Sequence, residues 1–203
     1  MNTRLALTLA LVVAAAPAIA QEVRPVTGFE LERYLGTWHE IASIPTTFQR
    51  QCVFDTRAVY APAEEPGRIT VDNSCHTAEG TVDRSTGLAR FVGASDVGHL
   101  EVTFVTILGR PLWLASGDYV IIALDPDYRW SAVGHPSRDF AWILARDTEL
   151  DLETLRTLEA IYDAAGYDTC RILTSRQVRN DVRQPLCTVA DTSQGEVVDD
   201  DEE

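Results

Sequence analysis

The hydrophobic and polar positions of this chain form a series of short runs between residues 38 and 146. Most runs alternate apolar with polar residues or are rich in β-branched and aromatic residues, a pattern typical of strands. Segments rich in glycine, proline and aspartate separate them, among them AEEPG, RSTG, LGRP, LDPD and HPSRD. The pattern predicts eight strands, at 38–45, 53–60, 68–75, 88–94, 99–107, 118–124, 128–134 and 140–146. Short connections between so many strands favour an antiparallel meander closed into a β-barrel, because closure removes exposed edges.

After the eighth run the apolar residues recur at threes and fours, which is the period of one helix face. The residues of that face are Leu152, Leu155, Leu158, Ile161 and Ala165. Thr148 and Asp151 resemble a capping box, and Gly166 suits the left-handed position that follows a helix. The sequence therefore predicts an all-β fold with one packed helix: an eight-stranded antiparallel up-and-down β-barrel plus a C-terminal α-helix.

One end of this barrel carries residues suited to closing it. Counting strand directions from Trp38 places Arg146, the last residue of the eighth run, at the same end as Trp38. A guanidinium group on an indole face gains cation–π attraction, and we expect this pair to seal the barrel floor. Gly36 would allow a close approach beneath them.

Alternation along the strands selects the residues that face the lumen. The predicted lumen residues are Glu40, Ala42, Ile44, Leu100, Val102, Phe104, Phe140, Trp142 and Leu144, with Tyr119 near the mouth. These side chains either fill the barrel or surround a cavity, since eight strands permit both. A carboxylate such as Glu40 in an apolar lumen must be hydrogen-bonded or neutral. We expect Tyr34 or an arginine to satisfy it, with a ligand head group as the alternative.

Composition and charge argue against some classes of partner, and the N-terminal sequence indicates the cellular compartment. Residues 1–20 combine an early basic residue, an apolar stretch and a final A-x-A, which predicts a signal peptide and an exported, periplasmic or secreted protein. The net charge of −14 argues against nucleic acid and anionic membrane surfaces as partners. The acidic run at 197–203 is typical of a solvating tail. No cysteine lies near the cleavage site, so no lipid anchor is expected.

Four cysteines in an exported chain favour two disulfides rather than a metal site, since C-x-x-C spacing is missing. The turn at 63–67 sets a register that brings Cys52 opposite Cys75. This favours Cys52–Cys75 with Cys170–Cys187. The pairing of Cys52 with Cys187 and of Cys75 with Cys170 stays open.

Three short motifs resemble the signatures of the lipocalins. Gly36-x-Trp38 is similar to the first, the segment from Asp125 to Tyr128 to the second, and Arg146 at the end of FAWILAR to the third. Within the family the chain is most similar to the bacterial lipocalins, the plant temperature-induced lipocalins and apolipoprotein D. The resemblance spans 29–177, which leaves an N-terminal arm at 21–28 and a C-terminal extension at 178–203.

The resemblance implies a cup that binds and carries a small hydrophobic ligand, such as a fatty acid, a lysophospholipid or a similar lipid, for envelope lipid maintenance or transport. The predicted ligand-binding residues are Glu40, Ala42, Val102, Phe104, Tyr119, Phe140 and Trp142. No catalytic residue, metal or cofactor is predicted, because none of the four histidines falls in the lumen. A lipocalin-fold enzyme of the isomerase or de-epoxidase type is the alternative.

The loop at 108–117 falls at the open end and is apolar, with Leu112 and Trp113 at its centre. Such a loop either makes transient contact with a membrane or folds back over its own barrel. The oligomeric state has no signal in the sequence.

Overall fold

A computed structural model describes residues 22–179 and 181–191. The predicted signal peptide and the acidic tail therefore lie outside the described residues. Eight strands form the barrel: β1 (Gly36–Ser43), β2 (Phe54–Pro62), β3 (Ile69–His76), β4 (Val82–Phe91), β5 (His99–Thr103), β8 (Gly117–Leu124), β9 (Trp130–Gly134) and β10 (Ala141–Ala145). Each is antiparallel to the next, and β10 also pairs with β1, which closes the sheet. The predicted closed, eight-stranded barrel is confirmed.

The remaining elements lie around the barrel. They are α1 (Leu31–Tyr34), β6 (Thr106–Ile107), β7 (Arg110–Pro111), α2 (Leu152–Ala164), β11 (Leu173–Thr174) and α3 (Leu186–Asp191). Strands β6 and β7 form a separate two-stranded hairpin. The prediction of one strand over 99–107 is thus wrong at its end, because the chain leaves the barrel after Thr103.

Strand β4 begins six residues before the predicted start at 88. Its first half pairs with β3 through Val82 to Gly87, so the RSTG segment is strand and not turn. Those residues lie near the mouth, where polar side chains on both faces hide the alternation that marks a strand.

Asp151 caps the start of helix α2, and its carboxylate accepts a hydrogen bond from the Thr154 amide at 2.7 Å. The predicted cap at Thr148 is therefore wrong by three residues. Gly166 does take the left-handed position, with φ of 80°, and ends the helix. The helix packs on the outside of β1, β9 and β10, burying Leu158 and Tyr162 against Ala132, Ile143 and Ala145.

The closed end is built around the predicted indole–guanidinium pair. Trp38 is fully buried, and the Arg146 guanidinium lies 3.8 Å from its ring centroid. Arg146 also donates to the Thr37 carbonyl oxygen at 2.8 Å, so it ties strand ends together. Gly36 has φ of 96°, and a Cβ there would approach Arg146 Nη1 at 3.5 Å. The floor is thus sealed by stacking, hydrogen bonds and a glycine-dependent turn.

The second signature lies in the turn that precedes β9. The buried Asp125 carboxylate accepts a hydrogen bond from Arg129 at 2.8 Å and from the Asp127 amide at 3.0 Å. The bond from Arg129 holds the pKa of Asp125 below its usual value. Tyr128 takes a left-handed φ of 59°, and its hydroxyl accepts from the Glu30 amide at 2.9 Å. These contacts join the turn to the segment that enters β1.

The C-terminal segment fills a gap in the barrel wall. Strand β1 pairs with β2 only from Gly36 to His39, and above this the two strands separate. Residues 173–177 lie between them, with the Ser175 amide bonded to Ile41 O and the Asp55 amide bonded to Arg176 O. Disulfides link Cys52 to Cys75 and Cys170 to Cys187, which is the favoured pairing.

Candidate functional site

A cavity of about 440 Å³ occupies the barrel and opens at the end opposite Trp38. Its lower walls are apolar and include Ala58, Val71 and Leu144. Of the predicted lumen residues, those that line it are Glu40, Val102, Phe104, Tyr119, Phe140, Trp142 and Leu144. The barrel is therefore hollow above its floor.

Three predicted lumen residues do not line the cavity. Leu100 faces inward and packs in the cluster around Trp38, whereas Ala42 and Ile44 do not face inward. Both are buried in the outer cluster beneath helix α2, with no part in the cavity. A β-bulge between Glu40 and Ala42 adds one residue to β1, and this reverses which side chains face inward. The predicted inward orientation of Ala42 is thus wrong.

Glu40 lies at the cavity wall, and its carboxylate is held by neutral donors. Ser43 Oγ and Gln49 Nε2 each donate at 2.9 Å, and the Ser175 hydroxyl donates a further hydrogen bond. Among the residues that the structure describes, neither Tyr34 nor an arginine is a partner of this carboxylate, contrary to the prediction. Three donors satisfy a carboxylate that is only 6 % exposed, so the group is part of the wall's own structure.

Rings form a column along one wall of the cavity. Phe140 stacks on Trp142 at 6.0 Å between centroids and on Phe48 at 6.4 Å, while His135 contacts its edge. Phe48 lies at the mouth and is 58 % exposed. Sequence reasoning missed Phe48, because it lies outside every strand pattern.

A chain of hydroxyl groups crosses the lower cavity. Tyr119 Oη lies 2.9 Å from Tyr60 Oη and 2.7 Å from Tyr34 Oη, which in turn lies 3.1 Å from Ser131 Oγ. Tyr119 therefore reaches toward the floor, and the prediction that it lies near the mouth is wrong. Its strand begins at the mouth, but its side chain extends downward to meet Tyr34.

Burial makes ionisation of these phenols unfavourable. Desolvation raises the pKa of Tyr34 from 10.0 to about 12, and it raises the pKa values of Tyr60 and Tyr119 further. We expect the free energy of unfolding to fall as pH rises above about 10, since only the unfolded chain then loses phenolic protons. Urea unfolding at a series of pH values tests this. Tyr60→Phe should give a shallower slope, and equal slopes in both proteins would contradict the account.

The loop at 108–117 divides into two parts. Trp113 folds back on the outer wall, where Arg90 lies 4.2 Å and Arg68 4.9 Å from its ring. Leu108 and Leu114 are instead 99 % and 95 % exposed. The folded-back alternative thus holds for Trp113, and the two leucines remain open to solvent.

Comparisons with known proteins agree with this architecture. Residues 29–177 match the family model described as the lipocalin-like domain. The chain is 33% identical over 160 residues to temperature-induced lipocalin-1 of Arabidopsis thaliana, which covers 75% of this chain and 81% of that protein. It is 32% identical over 166 residues to outer membrane lipoprotein Blc of Escherichia coli, covering 82% and 89%.

Two further similarities point the same way. Apolipoprotein D of Macaca fascicularis is 34% identical over 152 residues, covering 73% of this chain and 77% of that protein. Insecticyanin of Manduca sexta shares the fold, with a TM-score of 0.60 at 20% identity, over 79% of this chain and 87% of that structure. On the match over 29–177 and these identities, the chain belongs to the lipocalin family.

Proposed function

We propose that this protein binds and carries a small hydrophobic ligand, of the fatty acid, lysophospholipid or similar lipid class, inside its barrel. The observation that carries the proposal is the cavity of about 440 Å³, with apolar lower walls, a sealed floor and one open end. A concave, mostly apolar site of this size with a few placed polar groups suits a ligand with one long or bulky apolar part.

The polar groups around the cavity support binding rather than turnover. His135 lines the cavity, so the prediction that none of the four histidines falls in the lumen is wrong for this residue. Its Nδ1 lies 2.9 Å from Ser137 Oγ, which is a hydroxyl and not a carboxylate. His99 pairs with Asp118 at 2.8 Å; Asp118 lies at the cavity wall, but His99 does not line the cavity, so the pair does not stand inside the lumen. A positioned acid–base pair inside the lumen is what an isomerase would need.

A titration tests the proposal directly. The mature protein, freed of lipid, is titrated with fatty acids, lysophospholipids and retinoids, and tryptophan fluorescence is recorded. We expect saturable quenching that falls in Trp142→Phe, because Trp142 lines the cavity. Trp113→Phe is the matched control, since Trp113 lies on the outer wall. If no ligand of the panel changed the tryptophan fluorescence, the result would contradict the proposal.

The predicted signal peptide supports a place of action outside the cytoplasm, in the periplasm or beyond the cell, and a role in envelope lipid maintenance or transport. No helix among the described residues is long and apolar enough to cross a membrane.

We also propose that the exposed leucines of the mouth touch membranes transiently during ligand exchange. Leu108 lies at the tip of the β6–β7 hairpin and Leu114 lies beyond it, so both can enter a lipid surface. Replacing both with serine should weaken co-sedimentation with uncharged phosphatidylcholine vesicles several-fold.

The matched control for this experiment replaces two exposed apolar residues away from the mouth, Val92 and Leu152, with serine. That variant should keep the binding of the unaltered protein. Equal vesicle binding by all three proteins would rule out a role for the two leucines.

A further inference from the structure

The hydroxyl chain at the base of the cavity contains four protons and three hydrogen bonds. Its members in order are Tyr60, Tyr119, Tyr34 and Ser131, joined at 2.9, 2.7 and 3.1 Å. Each hydroxyl has a single proton to donate, so three bonds use three protons. One hydroxyl proton is therefore not used within the chain of hydroxyl groups. The residue that carries it decides whether a hydrogen-bond donor is available to a ligand in the cavity.

Burial locates the remaining proton. Ser131 is fully buried, and among the described residues its side chain has one hydrogen-bond partner, Tyr34 Oη. An unused buried donor costs about 1–3 kcal/mol, so Ser131 donates to Tyr34. Tyr34 is itself 2 % exposed and takes no part in the cavity lining, so for the same reason it donates to Tyr119.

The last bond, between Tyr119 and Tyr60, can run in either direction. If Tyr119 donates, the unused proton belongs to Tyr60, and if Tyr60 donates, it belongs to Tyr119. Both residues line the cavity. One phenolic O–H donor therefore faces the lumen at its lower end in either case.

The charges around the lumen bear on which acceptor this donor suits. The Arg146 guanidinium lies behind the Trp38 ring, on the far side of the floor. Glu40, Asp83 and Asp118 add carboxylates to the cavity lining. The one arginine of the lining among the described residues, Arg57, lies three residues along β2 from Tyr60, toward the mouth, and pairs with Asp55 at 3.6 Å. A ligand carboxylate placed at the floor would gain one donor and no cation, which leaves most of its desolvation cost unmet.

We infer that the lower cavity is a subsite for a neutral oxygen acceptor, a carbonyl or a hydroxyl oxygen, at the inner end of the ligand. This inference rests on the proposed function and narrows it to ligands that enter with such a group first. The ligand oxygen accepts a hydrogen bond from the unused phenolic O–H, and the apolar remainder of the ligand lies along Val102 and Trp142.

The test uses two probes of the same shape, 2-octanone and 2-methyl-1-octene, which differ by an oxygen in place of a methylene group. Each competes with a fluorescent reporter ligand in the full mature chain. We expect the ketone to bind about tenfold more tightly than the alkene, the ratio that one hydrogen bond of typical strength gives.

Three variants separate the donor from the packing. Tyr60→Phe leaves Tyr119 with the unused proton, so the preference for the ketone should survive. Tyr60→Phe with Tyr119→Phe removes both phenolic hydroxyl groups that line the lower cavity, and the preference for the ketone should vanish while alkene binding stays. Val71→Ala is the control for altered packing of the same wall, and it should change both affinities together. Thermal unfolding checks that each variant is folded.

The outcomes are distinguishable. If neither probe nor reporter binds, the proposed function itself fails. If both probes bind equally to the unaltered protein, or if the double variant keeps the preference for the ketone, the cavity binds ligands but the acceptor subsite is refuted. Tighter binding of octanoate than of the ketone would also overturn the inference, because it requires a neutral group.

Discussion

Replacing Trp38 with alanine is expected to lower the free energy of unfolding by about 3–5 kcal/mol, the range for large buried aromatic residues. The indole is fully buried at the floor, its Nε1 donates to the Tyr34 carbonyl oxygen at 2.7 Å, and Arg146 covers its outer face. The variant leaves a cavity, an unpaired carbonyl and an uncovered guanidinium group. Urea unfolding followed by circular dichroism measures the loss.

The matched control is Trp113→Ala, which removes the same side chain from the outer wall. Trp113 is also covered by an arginine, Arg90 at 4.2 Å, but it lies partly open to solvent. Its loss should cost about 1 kcal/mol, as an exposed cation–π contact does. Equal losses in the two variants would show that the floor has no special part in stability.

Replacing Val102 with tryptophan is expected to weaken ligand binding about a hundredfold or more, which corresponds to about 2.7 kcal/mol. Val102 faces the cavity opposite Ala89, and an indole there would project into the 440 Å³ lumen and obstruct the space that a ligand needs. Because the space is empty, the strain of overpacking should remain below about 3 kcal/mol, and the protein should fold. Binding is measured by displacement of a fluorescent reporter ligand, because the added tryptophan would change the intrinsic fluorescence of the protein.

Thr86→Trp provides the control for this second experiment. Thr86 lies on the outer face of β4, opposite Asp72, and is exposed. It should leave affinity unchanged, since it adds the same indole outside the barrel. Undiminished binding in the Val102 variant would mean that the ligand site lies elsewhere.

The architecture could be predicted from the sequence because its signals are local. Strand alternation, turn residues and the Gly36-x-Trp38 spacing each depend on a few neighbouring positions, and Arg146 follows from counting the strands between them. Such features need no knowledge of how distant elements pack. The Cys52–Cys75 bond was predicted correctly but from a wrong register, because β2 and β3 pair Tyr60 with Val71 and Phe54 with His76.

The errors arise where one residue or one distant segment changes the outcome. A single bulge in β1 turns Ala42 outward. The alternation of apolar and polar residues does not show where such a bulge occurs. The partners of Glu40 include Ser175, 135 residues away, on a segment with no strand pattern of its own. The prediction that Tyr119 lies near the mouth rests on the position of its backbone, but its long side chain brings the hydroxyl group beside Tyr34.

The insertion of residues 173–177 between β1 and β2 also constrains the order of folding. The barrel closes through pairs such as His39 with Ala145, so its two halves meet only after most of the chain has been synthesised. The gap above His39 is filled later still, by residues that follow helix α2. Contacts so distant in sequence make folding slow. We expect a chain truncated before residue 173 to leave this gap open, so the wall around the lumen is complete only after the segment that follows helix α2 has joined the barrel.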